Sequence, residues 1–134
     1  MDAEMVEEHQ FVSLDGYDIP VFSRWSYTTA DPYAVTLSFR ADRGSWVEWC
    51  FARDLLVAGL SGPAGEGDVR IRPDLSPDPD QMLMELESPD GYAVVEFGRE
   101  AAARFVASTH TLVPLGAESA FVDVDGFIAA ITKV

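Results

Sequence analysis

The chain is short of cations, cysteine, histidine and long apolar runs, and each shortage removes a class of function. Lys and Arg number 9 against 23 Asp and Glu, a formal net charge of −14. Phosphate backbones are gripped by neutralising them with Lys and Arg and releasing counterions. The cations present do not cluster: Arg24, Arg40, Arg43, Arg53, Arg70, Arg72, Arg99, Arg104 and Lys133 are spread along the sequence. Binding to nucleic acid or to anionic lipid is therefore not expected. The acidic excess reads as a solvated surface that keeps the protein soluble and can steer it toward a basic partner.

One cysteine, Cys50, cannot form an internal bridge, so nothing suggests an oxidising compartment. Trp49 and Phe51 flank it, which predicts a buried, inert thiol. His9 and His110 stand outside any H-x-x-x-H, H-E-x-x-H or C-x-x-C spacing, so neither a metal nor a cofactor is expected. No stretch approaches the ~20 apolar residues of a membrane span. The first 20 residues hold no cation and no apolar run, so no secretory signal is expected and the location reads as cytoplasmic.

What the chain does have is globular composition, 48% apolar and 24% charged over 134 residues. That fits a single domain, 1–134, able to bury a core without disulfide or metal. Phe11, Val12 and Leu14 end at the turn dipeptide Asp15-Gly16, and Ile19, Val21 and Trp25 follow. Pro20 removes a backbone donor and places that second strand at an edge or gives it an irregular start. After the turn residues Thr28 to Pro32, Tyr33, Val35, Leu37 and Phe39 alternate with Ala34, Thr36, Ser38 and Arg40. This is period two, the mark of a strand with one apolar face. A turn at Asp42-Arg43-Gly44-Ser45 leads back through Val47, Trp49 and Phe51, a hairpin.

From Ala52 to Ala58 the period turns helical, with Gly59 where a helix C′ residue belongs. Gly62 to Gly67 reads as a mobile loop, and Val69 and Ile71 as a strand stopped by Pro73. Beyond the Pro- and Asp-rich loop Asp74 to Asp80, a second hairpin turns at Ser88-Pro89-Asp90-Gly91 between Met82, Met84, Leu86 and Tyr92, Val94, Glu96. A helix from Arg99 to about Leu112 puts Ala101 and Phe105 on one face, with Ala102 and Val106 beside them. A last helix, capped by Asp123 or Asp125, turns Phe127, Ile128 and Ile131 inward. Four strands, a short helix, three strands and two helices, without βαβ alternation, predict an α+β or barrel-like domain.

Catalysis needs a nucleophile or acid–base pair with something to orient it, and no such grouping is visible. Gly62-Pro63-Ala64-Gly65-Glu66-Gly67 lacks the Lys-Ser/Thr of a phosphate loop, and Asp123-Val124-Asp125-Gly126 lacks the closing Glu of a calcium loop. Trp49 alternates in phase with Val47 and Phe51 and reads as core. Trp46 is out of phase with them and points to the other face, either as the anchor of a protein contact or buried in a second layer.

Three stretches together resemble one family. They are Thr29-Ala30-Asp31-Pro32-Tyr33-Ala34-Val35, then Trp49-Cys50-Phe51-Ala52-Arg53-Asp54-Leu55-Leu56, then Gly65-Glu66-Gly67-Asp68-Val69-Arg70. In order and spacing they are similar to the SsgA-like proteins, bacterial sporulation and cell-division factors. The likeness runs from roughly residue 27 to the end, and its motifs are explicable as fold rather than as an active site. The resemblance implies antiparallel sheets in a whirly-like, barrel-like arrangement packed with C-terminal helices. It implies a non-enzymatic, trimeric protein recruited to the division septum, acting in septum-site selection through the division GTPase FtsZ and other SsgA-like proteins. An apolar patch with an acidic rim around Trp46 is the expected contact surface. The alternative is single-stranded nucleic-acid binding on the same fold, with Tyr33, Trp46 and Tyr92 as stacking platforms.

Overall fold

Strand alternation builds one sheet. A computed structural model describes residues 3–74, 80–122 and 124–132. It runs β1 (Met5–Leu14), β2 (Val21–Thr28), β3 (Ala34–Arg40), β4 (Trp46–Ala52), α1 (Arg53–Gly59), β5 (Val69–Asp74), β6 (Gln81–Ser88), β7 (Gly91–Gly98), α2 (Arg99–Leu112) and α3 (Val124–Thr132). The seven strands lie in the order β4-β3-β2-β1-β7-β6-β5, every pair antiparallel. The α+β, antiparallel reading holds, as a curled half-barrel with a few helices.

The sheet is two meanders joined at a narrow seam. β1 pairs with β2 from Met5↔Thr28 to Val12↔Val21, but meets β7 only at Ser13↔Glu96 and Leu14↔Val95. Period two then sorts the side chains. Ser23, Trp25 and Tyr27 of β2, Val35, Leu37 and Phe39 of β3, Met82, Met84 and Leu86 of β6, and Val95 and Phe97 of β7 are buried on the inner face. α2 lies across that face against β1 and β7. Its Phe105 meets Trp25 edge-on at 5.9 Å between centroids, and Phe97 flanks the same indole at 5.1 Å. In β7 the buried phase is Val95 and Phe97; Tyr92 and Glu96 face out.

Several expectations change. Cys50 is exposed, because neighbours in a strand face opposite ways: Phe51 takes the inner side while Cys50 lies across from Thr36, 3.3 Å from its hydroxyl. Pro20 stands just before β2, which is an interior strand, so the irregular start is the alternative realised. Pro73 does not stop β5; it is tolerated because β5 is an edge strand. Gly59 is the last residue of α1 without a left-handed φ. It is needed for close packing, since a Cβ there would stand 2.5 Å from Ile71 Cγ2.

The Gly62 to Gly67 loop is pinned, not loose: Ala64 exchanges backbone hydrogen bonds of 2.8 and 2.9 Å with Ile71, covering part of the β5 edge. Ile128 and Ile131 of α3 are 48% and 62% exposed rather than inward. Asp125 falls in the first turn of α3, while the Asp123 cap, the Phe127 side chain and residues 75–79 of the Pro- and Asp-rich loop lie outside the described residues.

Candidate functional site

Two arginine–aromatic clusters occupy opposite faces of the first meander. The inner one is closed. Arg53, the first residue of α1, is buried and reaches across the fold to the end of α2. Its Nη1 donates to the carbonyls of Val113 (2.7 Å) and Thr109 (3.3 Å), and its Nη2 donates to Glu118 Oε1 at 2.5 Å. The guanidinium also lies 5.0 Å from the centroid of Tyr27, whose hydroxyl donates to the Pro32 carbonyl at 2.9 Å. Arg53 thus ties α1 to the end of α2: it satisfies the Val113 carbonyl past the last turn and adds a second donor to the Thr109 carbonyl, which already accepts from the Val113 backbone N–H at 2.9 Å. Its hydrogen bond holds the Glu118 carboxyl below the usual carboxylate range, and burial raises the Tyr27 hydroxyl. These are the Arg-Asp and Asp-Pro motif segments, and the structure gives them a clamping role.

The outer cluster is open. Trp46 begins edge strand β4 directly across from Arg40, half-buried, on the face opposite the Trp25 core. Its out-of-phase position in the sequence therefore translates into an outer-face side chain, while in-phase Trp49 packs half-buried against the core. Phe22 lies 6.2 Å from the Trp46 ring, His9 stacks on Phe22 at 5.3 Å, and Phe11 touches Phe22 at 5.2 Å. Phe11 is 69% exposed. The guanidinium of Arg24 sits 4.4 Å and that of Arg40 5.4 Å from the Trp46 centroid. The side chains stacked on Trp46 are thus cationic, while Glu7 and Glu48 lie further out on the same face.

The outer cluster continues into a groove at the end of the curl that α2 does not cover. Its volume is about 760 Å³. Phe11, Phe22 and Arg40 border it, and inner-face residues such as Val47 (49% exposed) and Trp49 line its floor. Tyr17 and Ile19, 70% and 77% exposed, stand at its rim. Sequence reading found Trp46 but missed Arg24, Phe11 and Phe22 as its neighbours. The structure does not unite Trp46 with Tyr33. Tyr33 precedes β3 at the end away from Arg40, roughly 20 Å along the strand at ~3.3 Å per residue. Tyr92 borders the groove and donates to Glu85 at 2.6 Å.

Among the described residues no group of three or more His, Cys, Asp or Glu is placed to hold a metal ion. No helix among them is long and apolar enough to cross a membrane.

The sequence profile described as "Streptomyces sporulation and cell division protein, SsgA" matches residues 21–118, more than half of the chain. A relative from Saccharopolyspora erythraea, the sporulation-specific cell division protein SsgB, is 48% identical over 80% of this chain and 75% of its own. One of the same name from Salinispora tropica is 43% identical over 87% and 82%. A solved SsgA-like sporulation-specific cell division protein from Thermobifida fusca superposes with a TM-score of 0.84 at 33% identity, covering 96% of each chain. A solved structure associated with SsgB mutations in Streptomyces coelicolor gives 0.83 at 36% identity, over 90% of this chain and 97% of that one.

Fold and sequence together define the class, a sporulation and cell division protein built on a curled antiparallel half-barrel. Within that class, the chain belongs to the SsgA family.

Proposed function

We propose that the chain is a non-enzymatic adaptor of sporulation septation that recruits or regulates the division GTPase FtsZ through protein contacts at the septum. One observation carries the reading. On a member of a sporulation and cell-division family, the outer-face aromatic cluster around half-buried Trp46 adjoins an open, largely apolar groove through Phe22 and exposed Phe11. Monomeric proteins rarely leave contiguous apolar surface of this kind without a partner to cover it. Relatives named as sporulation-specific cell division proteins support the process assigned. A charge of −14 argues against a nucleic-acid backbone as that partner.

The adaptor works as a homo-oligomer, a trimer. Ile128 and Ile131 on α3 leave apolar surface, away from the groove lining, that self-association would cover. Light scattering at micromolar concentration is expected to return a multiple of the chain mass, and a monomer there removes the oligomer from the reading.

A fluorescent fusion expressed in sporulating cells of a filamentous actinobacterium tests the adaptor role itself. Foci at future septa are expected for the natural sequence, and diffuse signal for Trp46→Ala at equal abundance. A diffuse natural fusion, or full-strength foci with Trp46→Ala, would overturn the assignment of this surface.

A further inference from the structure

Arg24 and Arg40 share one aromatic ring and no carboxylate. Both guanidiniums lie within 5.4 Å of the Trp46 centroid. Among the described residues neither forms an ion pair with Asp or Glu, although the chain holds 23 of them. Elsewhere the arginines with burial are paired: Arg53 with Glu118, and Arg70 with Glu85 and Glu87. Two cations held close together repel, and the electron-rich face of one indole offsets that only in part. The member missing from the arrangement is an anion.

The neighbours of Trp46 define what else the ligand carries. Phe22 and the 69%-exposed Phe11 extend the indole into an apolar strip beside the two arginines. Trp46 opens β4, an edge strand with no strand neighbour on its far side, and an extended chain can add along such an edge. We infer that the outer face around Trp46 binds an acidic peptide segment of a partner: carboxylates meet Arg24 and Arg40, and an adjacent aromatic or aliphatic side chain packs on Trp46, Phe22 and Phe11. Arginine forks match carboxylates in geometry as well as charge. A phosphate backbone is the poorer fit, because two arginines give no continuous basic track along which successive phosphates could be neutralised. The inference rests on the partner-contact reading of Trp46 and adds the charge of the partner, which is the reverse of what the net charge of −14 suggests.

The test uses the full chain and three fluorescein-labelled probes in anisotropy titrations. They are a synthetic peptide of Asp and Glu interleaved with Phe and Leu, the same peptide with Lys replacing the acids, and oligothymidylate. The acidic peptide is expected to bind, to weaken as salt rises from ~50 to ~200 mM, and to lose about tenfold or more in affinity with Arg24→Glu/Arg40→Glu. Arg24→Gln/Arg40→Gln, which adds no charge, is expected to weaken binding in the same direction, and the salt titration of the natural chain needs no variant to fold. Absent or salt-indifferent binding of the acidic peptide, equal or tighter capture of the Lys peptide, or tighter capture of oligothymidylate overturns the inference. The same two variants expressed as fusions separate this failure from that of the adaptor reading. If Trp46→Ala disperses the septal foci while Arg24→Glu/Arg40→Glu keeps them, the contact surface stands and the acidic partner falls. If both keep them, the surface itself falls.

Discussion

Arg53 and the Arg24–Arg40 pair do the same local chemistry with opposite outcomes. Each guanidinium lies over an aromatic ring: Arg53 at 5.0 Å from Tyr27, Arg24 and Arg40 at 4.4 and 5.4 Å from Trp46. Around Arg53 the chain supplies a carboxylate and two carbonyls, so the cation is neutralised and closes two segments together. Around Trp46 the chain supplies more aromatic surface and a second cation. A cation–π contact is therefore no guide to role by itself. The remaining donors decide: spent internally they make a clamp, and left toward solvent they make a surface for something else.

The contrast breaks most violently at Arg53. Arg53→Ala leaves the Glu118 carboxylate in a buried site without its counter-ion and the Val113 carbonyl without its donor. Breaking a buried pair in this way costs ~3–5 kcal/mol, so urea midpoints should fall sharply, and a loss below ~1 kcal/mol would show that the clamp is ornamental. Trp46→Ala comes next, acting on affinity in place of stability. Truncating a contact anchor costs about 2 kcal/mol or more of binding. Its melting loss should stay well under the ~3–5 kcal/mol of a core tryptophan, because the ring is half-exposed. A thermal melt beside a pull-down separates the two.

Acid is the third probe. The Glu118 carboxyl titrates below its ordinary range in the folded chain, chiefly because Arg53 hydrogen-bonds its charged form. Its stabilisation is fully present above the ordinary carboxylate pKa and is lost as pH falls through the depressed folded value. Chemical denaturation between pH 7 and pH 3 should therefore show a loss at the acid end that Glu118→Gln reduces. Identical pH profiles for the two chains would mean that the ion pair contributes nothing in solution.

The sequence shows the inner face well and the outer site poorly, for a physical reason. Period two in β3 forecasts Val35, Leu37 and Phe39 as core, and the phase break at Trp46 forecasts an outer indole. Both are local signals. Arg40 opposite Trp46 follows from a hairpin register, but Arg24 joins them only because Ser38 aligns with it across β2 and β3. Arg53 and Glu118 are 65 residues apart, and nothing nearby announces the pair. Cys50 misleads because residues adjacent in sequence sit on opposite faces of a strand. In α3 the apolar spacing says which residues share a face, not whether their partner belongs to the same chain.

The smallest effect is the sharpest test of the contrast. Arg24→Gln/Arg40→Gln removes two charges that have no acidic partner in the described chain and that repel one another. What the folded state loses is the attraction to the indole face, ~0.5–1 kcal/mol for an exposed cation–π contact, and some packing of the arginine stems on the ring. What it gains is relief from like-charge repulsion, which at this exposure is of similar size. The two nearly cancel, so the double variant should melt within about 1 kcal/mol of the natural chain, while Arg53→Ala in parallel falls several times further. The opposite sign of the overall charge adds a second reading. Removing two positive charges from a chain at −14 increases its general self-repulsion, which salt screens. Any deficit from that source should vanish by ~0.5 M NaCl, where the Debye length falls to a few ångströms. A salt-resistant loss above ~2 kcal/mol would instead place Arg24 and Arg40 in the same structural role as Arg53, and the outer face would have no cations to offer a partner.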